Sequence, residues 1–253
     1  MTIRRWLLML VGGVLVMGGI TACAPDEIET EQPALQTYQG MDYLAFAAPV
    51  LPAQVQPASS DLPSLQMAPP QCSFSDSTTL TCLGWVQNPT SQALAEIQLE
   101  LVLQDRDGNS VMVQPASLAR DWLPPGSGAP YRILFAELSE DRALVPVLRL
   151  LAATPASPTS SIAALQVSEV TTEAWEDALL VRGQVENTTN DRVDPVSAIV
   201  TWLDEQGQVV AFRVIPLGAL AVGGLETFEA SLLGPPGAVR STRVEVSVDG
   251  YRR

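Results

Sequence analysis

The chain has 253 residues, 47% of them hydrophobic, which is enough for one or two packed cores and excludes disorder throughout. Aromatic residues make up only 6%, while Pro and Gly number 20 and 17, a balance that favours short strands and many turns over long helices. The formal charge of −14 repels nucleic acid, and because all 14 basic residues are Arg, with no Lys and no His, imidazole bases, His metal ligands and Schiff-base lysines are excluded as well.

The first 23 residues read as a basic head with Arg4 and Arg5, an apolar stretch from Trp6 to Ile20, and then Ile20-Thr21-Ala22-Cys23. This order is that of a signal peptide over residues 1–22. The apolar stretch is interrupted by Gly12, Gly13, Gly18 and Gly19 and is shorter than the ~20 residues a membrane-spanning helix needs. Its last four residues resemble the lipobox of bacterial lipoproteins. That resemblance implies cleavage before Cys23, acylation of Cys23, and an extracytoplasmic protein of the cell envelope held on a membrane by lipid. A plain secreted protein with an incidental Cys23 is the alternative. Arg4 and Arg5 are also similar to a twin-arginine signal, which an ordinary basic head explains equally well. Cleavage leaves an acidic mature part, with 12 basic residues against 28 acidic ones.

Residues 23–70 carry eight prolines, an acidic start (Asp26, Glu27, Glu29, Glu31) and no sustained period of 2 or 3.6. They read as a disordered, lipid-anchored stalk. A flexible segment of this length would span about 35–40 Å. The patch Tyr43-Leu44-Ala45-Phe46 is apolar enough to dock on a folded part.

Beyond residue 70 the chain repeats itself at a spacing of 99. Gly84-Trp85-Val86-Gln87-Asn88-Pro89-Thr90 lies over Gly183-Gln184-Val185-Glu186-Asn187-Thr188-Thr189. In the first copy Ile97, Leu99, Leu101 and Leu103 alternate with polar residues; in the second, Val196, Ala198, Val200 and Trp202 take the inward positions. Strict alternation predicts half-buried strands. Each strand ends at an acidic turn, Asp105-Arg106-Asp107-Gly108-Asn109 or Asp204-Glu205-Gln206-Gly207, which predicts a hairpin. Further alternating strands follow at Tyr131, Ile133, Phe135 and at Phe228, Ala230, Leu232. The pattern predicts an all-β chain with two tandem antiparallel β-sandwiches, 71–152 and 163–253, joined by a Pro- and Ser-rich linker at 153–162. Each is expected to close its own core.

These strand and turn positions resemble the FxLYD domain, a small immunoglobulin-like module of bacterial envelope lipoproteins. The motif that names the family falls on Leu101-Val102-Leu103-Gln104-Asp105 and Val200-Thr201-Trp202-Leu203-Asp204, where the aromatic positions are replaced and the Asp and apolar parity are kept. The resemblance implies an immunoglobulin-like fold and carries over no catalytic site.

Cys72 and Cys82 flank the first hairpin of the first copy, and outside the cytoplasm such a pair is expected to form a disulfide. A redox or metal site is the sharper alternative, but the spacing is not CxxC and no His completes a metal shell. Asp105, Asp107 and Asn109 resemble part of a calcium loop but lack its closing Glu, so a hairpin turn accounts for them better. Ser residues have no His or Lys to activate them. Paired carboxylates remain the only route to catalysis, as in glycan hydrolysis, and the acids are scattered over outward parities. No metal and no small-molecule cofactor is expected. Trp202 has inward parity and reads as core. Trp85 stands where the second copy has Gln184, and Trp122 lies in a Pro-rich loop; both are candidate partner contacts, with packing of Trp85 against the stalk or the other copy as the alternative.

The sequence therefore leads to the expectation of a non-catalytic envelope lipoprotein whose tandem modules bind another envelope protein at the membrane surface. A structural spacer or assembly subunit is the alternative, and a carboxylate-based glycan-active enzyme the distant one.

Overall fold

A computed structural model describes residues 42–43, 51–75, 77–139, 143–156, 162–234 and 243–252. The signal peptide, Cys23 and the linker residues 157–161 lie outside the described residues. Among those described, all regular structure is β.

In chain order the strands leading to and forming the first copy are β1 (Asp42–Tyr43), β2 (Gln54–Val55), β3 (Gln66–Met67), β4 (Gln71–Phe74), β5 (Leu80–Gln87), β6 (Leu94–Gln104), β7 (Ser110–Leu118), β8 (Trp122–Leu123), β9 (Gly128–Phe135) and β10 (Val145–Pro155). The second copy comprises β11 (Gln166–Ala174), β12 (Ala178–Glu186), β13 (Val193–Leu203), β14 (Val209–Leu220), β15 (Leu225–Leu233) and β16 (Arg243–Arg252). The 99-residue spacing is kept in space: β6 and β13 are offset by it at both ends.

In the first copy the order β2-β10-β6-β7-β9-β5-β3 forms one continuous sheet, with β4 also on β5 and β8 on β6. Strand β7 joins its two sides, pairing with β6 along most of its length and with β9 at Ser117 and Leu118. The sheet thereby curls almost into a barrel around Leu80, Val86, Leu99, Leu101, Leu103, Tyr131, Phe135 and Leu148. The second copy instead has two sheets, β1-β15-β12-β11 and β14-β13-β16, which close over Val181, Val185, Ala198, Val200, Trp202 and Leu232. Alternation explains both cores, since the inward set of each strand is the apolar one.

Two repeated residues hold each copy together. Asn88 is fully buried: its Nδ2 donates to the carbonyls of Gln92, Leu123 and Pro124 at 2.7, 2.9 and 3.3 Å, and its Oδ1 accepts from the Thr90 N–H at 3.0 Å. Asn187 does the same with Asp191, Leu220 and Ala221 at 2.8, 3.2 and 3.0 Å and with the Thr189 N–H at 3.1 Å. Each amide thus ties the β5–β6 or β12–β13 turn to the loop that precedes the aromatic strand, and satisfies carbonyls that would otherwise be buried unpaired. The glycine four residues earlier serves closeness. A Cβ on Gly84 would stand 2.3 Å from the Tyr131 ring, and one on Gly183 2.5 Å from Phe228.

The stalk expected over 23–70 ends sooner than the sequence suggested. Leu51 N–H donates to the Cys72 carbonyl at 2.8 Å, β2 runs parallel to β10, and β3 pairs with Val86 and Gln87. Leu51, Val55, Leu62, Leu65 and Met67 pack on the first core. Their irregular spacing between prolines hides this docking from any periodicity. Strand β11 faces β12 along its length, but the corresponding strand of the first copy is split into β3 and β4 by Ala68-Pro69-Pro70, because proline has no N–H to give a ladder. Strand β1, at Asp42 and Tyr43, runs parallel to β15 at Leu232 and Leu233. At the other boundary, β10 carries Ala153–Pro155 out of the expected linker and into the first sheet.

Candidate functional site

Cys72 and Cys82 are directly opposed on β4 and β5 and form a disulfide, with their Cα atoms 4.0 Å apart. Both are fully buried, so the bond belongs to the first core. At the equivalent place the second copy pairs Thr172 with Val181.

The acidic turn is a hairpin device. Asp105 Oδ1 accepts from the N–H groups of Asp107 and Asn109, both at 2.9 Å, and Gly108 has φ +83°. Asp204 repeats the pattern with Gln206 and Gln208, and Gly207 has φ +77°. The hydrogen bonds from Asn109 hold the Asp105 carboxyl below its usual range. Among the described residues, no group of three or more His, Cys, Asp or Glu is placed to hold a metal ion.

The two candidate tryptophans are each linked to Arg120, Trp85 through a shared cleft and Trp122 through a ring contact. Trp85 is half-buried on the outward parity of β5, and its indole packs closely against Gly128, where a Cβ would stand 2.4 Å from the ring. Trp122 is half-buried in β8, beside Ala95 of β6, with Arg120 5.8 Å from its ring centroid. Arg120 is also a wall of the cleft that Trp85 lines.

That cleft lies between the copies, which meet through their outer faces. On β13 the residues opposite the core, Ile199, Thr201 and Leu203, are 0–2% exposed, although a solvated sheet face would leave them open. Strand β14 lies against β5, with Phe212 under the Arg132 guanidinium at 5.1 Å. The centre of the seam is a buried ion pair: Arg120 Nε donates to Asp249 Oδ1 at 2.8 Å, and the two side chains are only 6% and 10% exposed. Arg120 Nη2 reaches the Val248 carbonyl at 3.3 Å, and the Tyr251 hydroxyl donates to Asp121 Oδ2. Burial pushes the Asp249 carboxyl above its usual range against the opposing pull of Arg120, and burial likewise raises Tyr251. These four residues were not singled out from the sequence. Their signal was faint: Arg120 and Asp121 are two charged residues in a loop where the copies fall out of step.

Beside the ion pair the cleft encloses about 520 Å³ and is lined by Trp85, Gln87, Ser127, Thr201, Arg243 and Ser247 among others. Arg243 is held by Glu245 at 2.9 Å along the same strand. Trp175, the exposed tryptophan of the second copy, stands elsewhere, at the turn between β11 and β12. Among the described residues no helix is long and apolar enough to cross a membrane.

No protein-family model matches the chain, and neither does any curated protein. Among solved structures it is similar to red sea bream transglutaminase, at 16% identity and a TM-score of 0.26 over 74% of this chain and 29% of that one. It is similar to Bacteroides uniformis beta-glucuronidase at 12% identity and a TM-score of 0.25, over 68% of this chain and 24% of that one. The N-terminal CBM22-1-CBM22-2 tandem domain from Paenibacillus barcinonensis Xyn10C aligns at 8% identity and a TM-score of 0.15, over 82% of this chain and 91% of that one. The chain thus spans under a third of the length of the first two. Likenesses this slight carry no argument about function.

Proposed function

We propose that this chain is a lipid-anchored, non-catalytic protein of the bacterial cell envelope, whose two immunoglobulin-like, FxLYD-type sandwiches mediate binding to another envelope protein. The address rests on Ile20-Thr21-Ala22-Cys23 behind a basic and apolar leader. The observation that carries the binding role is the pair of half-buried tryptophans on the first copy, Trp85 and Trp122, at positions the second copy does not reproduce. Tryptophan is enriched in binding hot spots, and a hairpin stiffened by the Cys72–Cys82 bond loses less freedom on association.

The spacer reading has one observation of its own in favour. The buried Arg120–Asp249 pair and the docking of residues 51–67 on the first core tie the chain together, as a part that only sets distance would need.

The test is in-cell crosslinking followed by recovery of the full-length protein from native membranes. A proteinaceous partner in fixed ratio, lost on Trp85→Ala with Trp122→Ala, is the expected result. A crosslinked profile unchanged by that double substitution would overturn the binding role. Cys23→Ala protein that still fractionates wholly with membranes as a cleaved product would overturn the anchor.

A further inference from the structure

The cleft at the seam has a chemistry of its own, separate from protein docking. Its volume of about 520 Å³ lies within the ~300–1,000 Å³ typical of small-ligand sites. Its charges are already matched. Arg120 is buried against Asp249 at 2.8 Å, and the exposed Arg243 has Glu245 beside it at 2.9 Å, so each cationic group of the lining already has a carboxylate next to it. A polyanion is further opposed by the net charge of −14. A cation finds the lining carboxylate, Glu245, already engaged. An apolar ligand would strip water from the half-buried Gln87, Ser127 and Ser247 without replacing its hydrogen bonds.

What remains is a neutral molecule with one flat apolar side and many hydroxyls. Trp85, half-buried, supplies a broad indole seated closely against Gly128. The hydroxyl and amide side chains around it supply donors and acceptors; the Ser127 hydroxyl already donates to the Pro124 carbonyl at 2.8 Å and keeps its lone pairs to accept. A pyranose ring matches this arrangement, with C–H groups on one face for the indole and hydroxyls at its edge for the polar walls. We infer that the cleft between the two copies binds a short uncharged oligosaccharide, with Trp85 as its stacking platform. Both copies build the site, since Trp85, Gln87 and Ser127 come from the first and Thr201 and Ser247 from the second. The inference goes beyond the protein-binding role and stands without it.

The test uses the purified full-length protein in detergent, titrated with neutral tetrasaccharides of glucose (α1,4- and β1,4-linked), mannose and N-acetylglucosamine, and followed by calorimetry and tryptophan emission. At least one sugar is expected to bind at micromolar to millimolar concentration. Trp85→Ala should weaken it by about tenfold or more, the size of losing one aromatic contact, while Trp85→Phe should stay within a few-fold and Trp175→Ala should change nothing. Gln87→Ala leaves the indole in place and guards against a folding artefact; it too should weaken binding. No heat or emission change with any of these sugars at millimolar concentration, or equal affinity in Trp85→Ala and the unsubstituted protein, overturns the inference. A crosslinked protein profile unchanged by the double tryptophan substitution, with sugar binding present in the parent, would instead overturn only the docking role.

Discussion

In the first copy four residues, Ala119, Arg120, Asp121 and Trp122, lead from Leu118 to Leu123; in the second, Gly218 and Ala219 alone lead from Leu217 to Leu220. The ladders Leu99↔Ala116 and Ala198↔Ile215 place the copies in step before this stretch, and the bonds from the Asn88 and Asn187 amides to the Leu123 and Leu220 carbonyls place them in step again after it. The two additional residues fall where the first copy meets the second. Arg120 and Asp121 make the polar contacts to Asp249 and Tyr251, and Trp122 lies beside Arg120. Features shared by the copies thus hold each fold, and features found in one copy alone build the seam between them. Trp85 follows the same rule, whereas the disulfide, also confined to one copy, lies inside the first core.

The most forceful way to test that division is to break the seam. Asp249→Leu leaves the buried Arg120 guanidinium without its partner, and the expected loss is about 3–5 kcal/mol in chemical denaturation of the full chain. Replacing both residues, Arg120→Leu with Asp249→Leu, should recover most of that loss, because a buried pair exchanged for apolar groups is close to neutral. A single variant as stable as the parent would mean that the seam opens in solution.

Next in size are the shared amides. Asn88→Ala and Asn187→Ala each strip the donor from three carbonyls, and each should lose about 3–4 kcal/mol, at roughly 1–3 kcal/mol per buried group left unpaired and with partial rescue by water. Matched hydrogen bonds predict matched losses. Values that differ by more than about 1 kcal/mol between the two variants, measured by the same denaturant method, would show that the repeated geometry does not carry repeated energy.

The disulfide should separate the copies. Its cysteines are 10 positions apart, and closing so short a ring restricts the unfolded chain by about 2–3 kcal/mol. Cys72→Ala with Cys82→Ala should therefore raise hydrogen exchange in β4 and β5 and leave β11 and β12 as protected as before. Equal loss of protection in both copies would mean that they unfold as one unit.

These contrasts also mark what the sequence made legible. The alternating sets of β6 and β13, the hairpin turns at Asp105 and Asp204, and the cysteine pair depend on neighbours close in the chain, and each could be read from spacing and parity. The repeat itself was visible through Gly84, Asn88, Gly183 and Asn187. The seam was not, because its ion pair joins residues 129 positions apart and because Ile199, Thr201 and Leu203 sit on a parity that alternation assigns to solvent. Residues 51–67 escaped for a different reason. Prolines interrupt them, and a strand of two residues has no period to detect. The single curled sheet of the first copy was also beyond alternation, which gives the face of a strand but not whether β7 continues onto β9.

The smallest expected effect concerns acid, and it again sets the two kinds of feature against each other. Asp249, at the seam, has its carboxyl raised by burial; Asp105, in a turn shared by both copies, has its carboxyl lowered by hydrogen bonds from Asn109. For Asp249 the native chain binds a proton at higher pH than the unfolded chain does. Between its raised value and the ordinary ~3.9 of an unfolded Asp, the native state therefore holds more protons, and its stability rises as pH falls. For Asp105 the sign is opposite: the unfolded chain is protonated first, so stability is lost as pH falls below the ordinary value. One titrating group contributes at most about 1.4 kcal/mol per pH unit, less than any of the substitutions above. Denaturation midpoints taken from pH 7 down to 3.5 for the parent, Asp249→Asn and Asp105→Asn isolate the two. The parent's advantage over Asp249→Asn should grow on acidification, and its advantage over Asp105→Asn should shrink. If the first difference shrinks instead, Arg120 outweighs burial at Asp249 and the ion pair itself stabilises the seam at neutral pH.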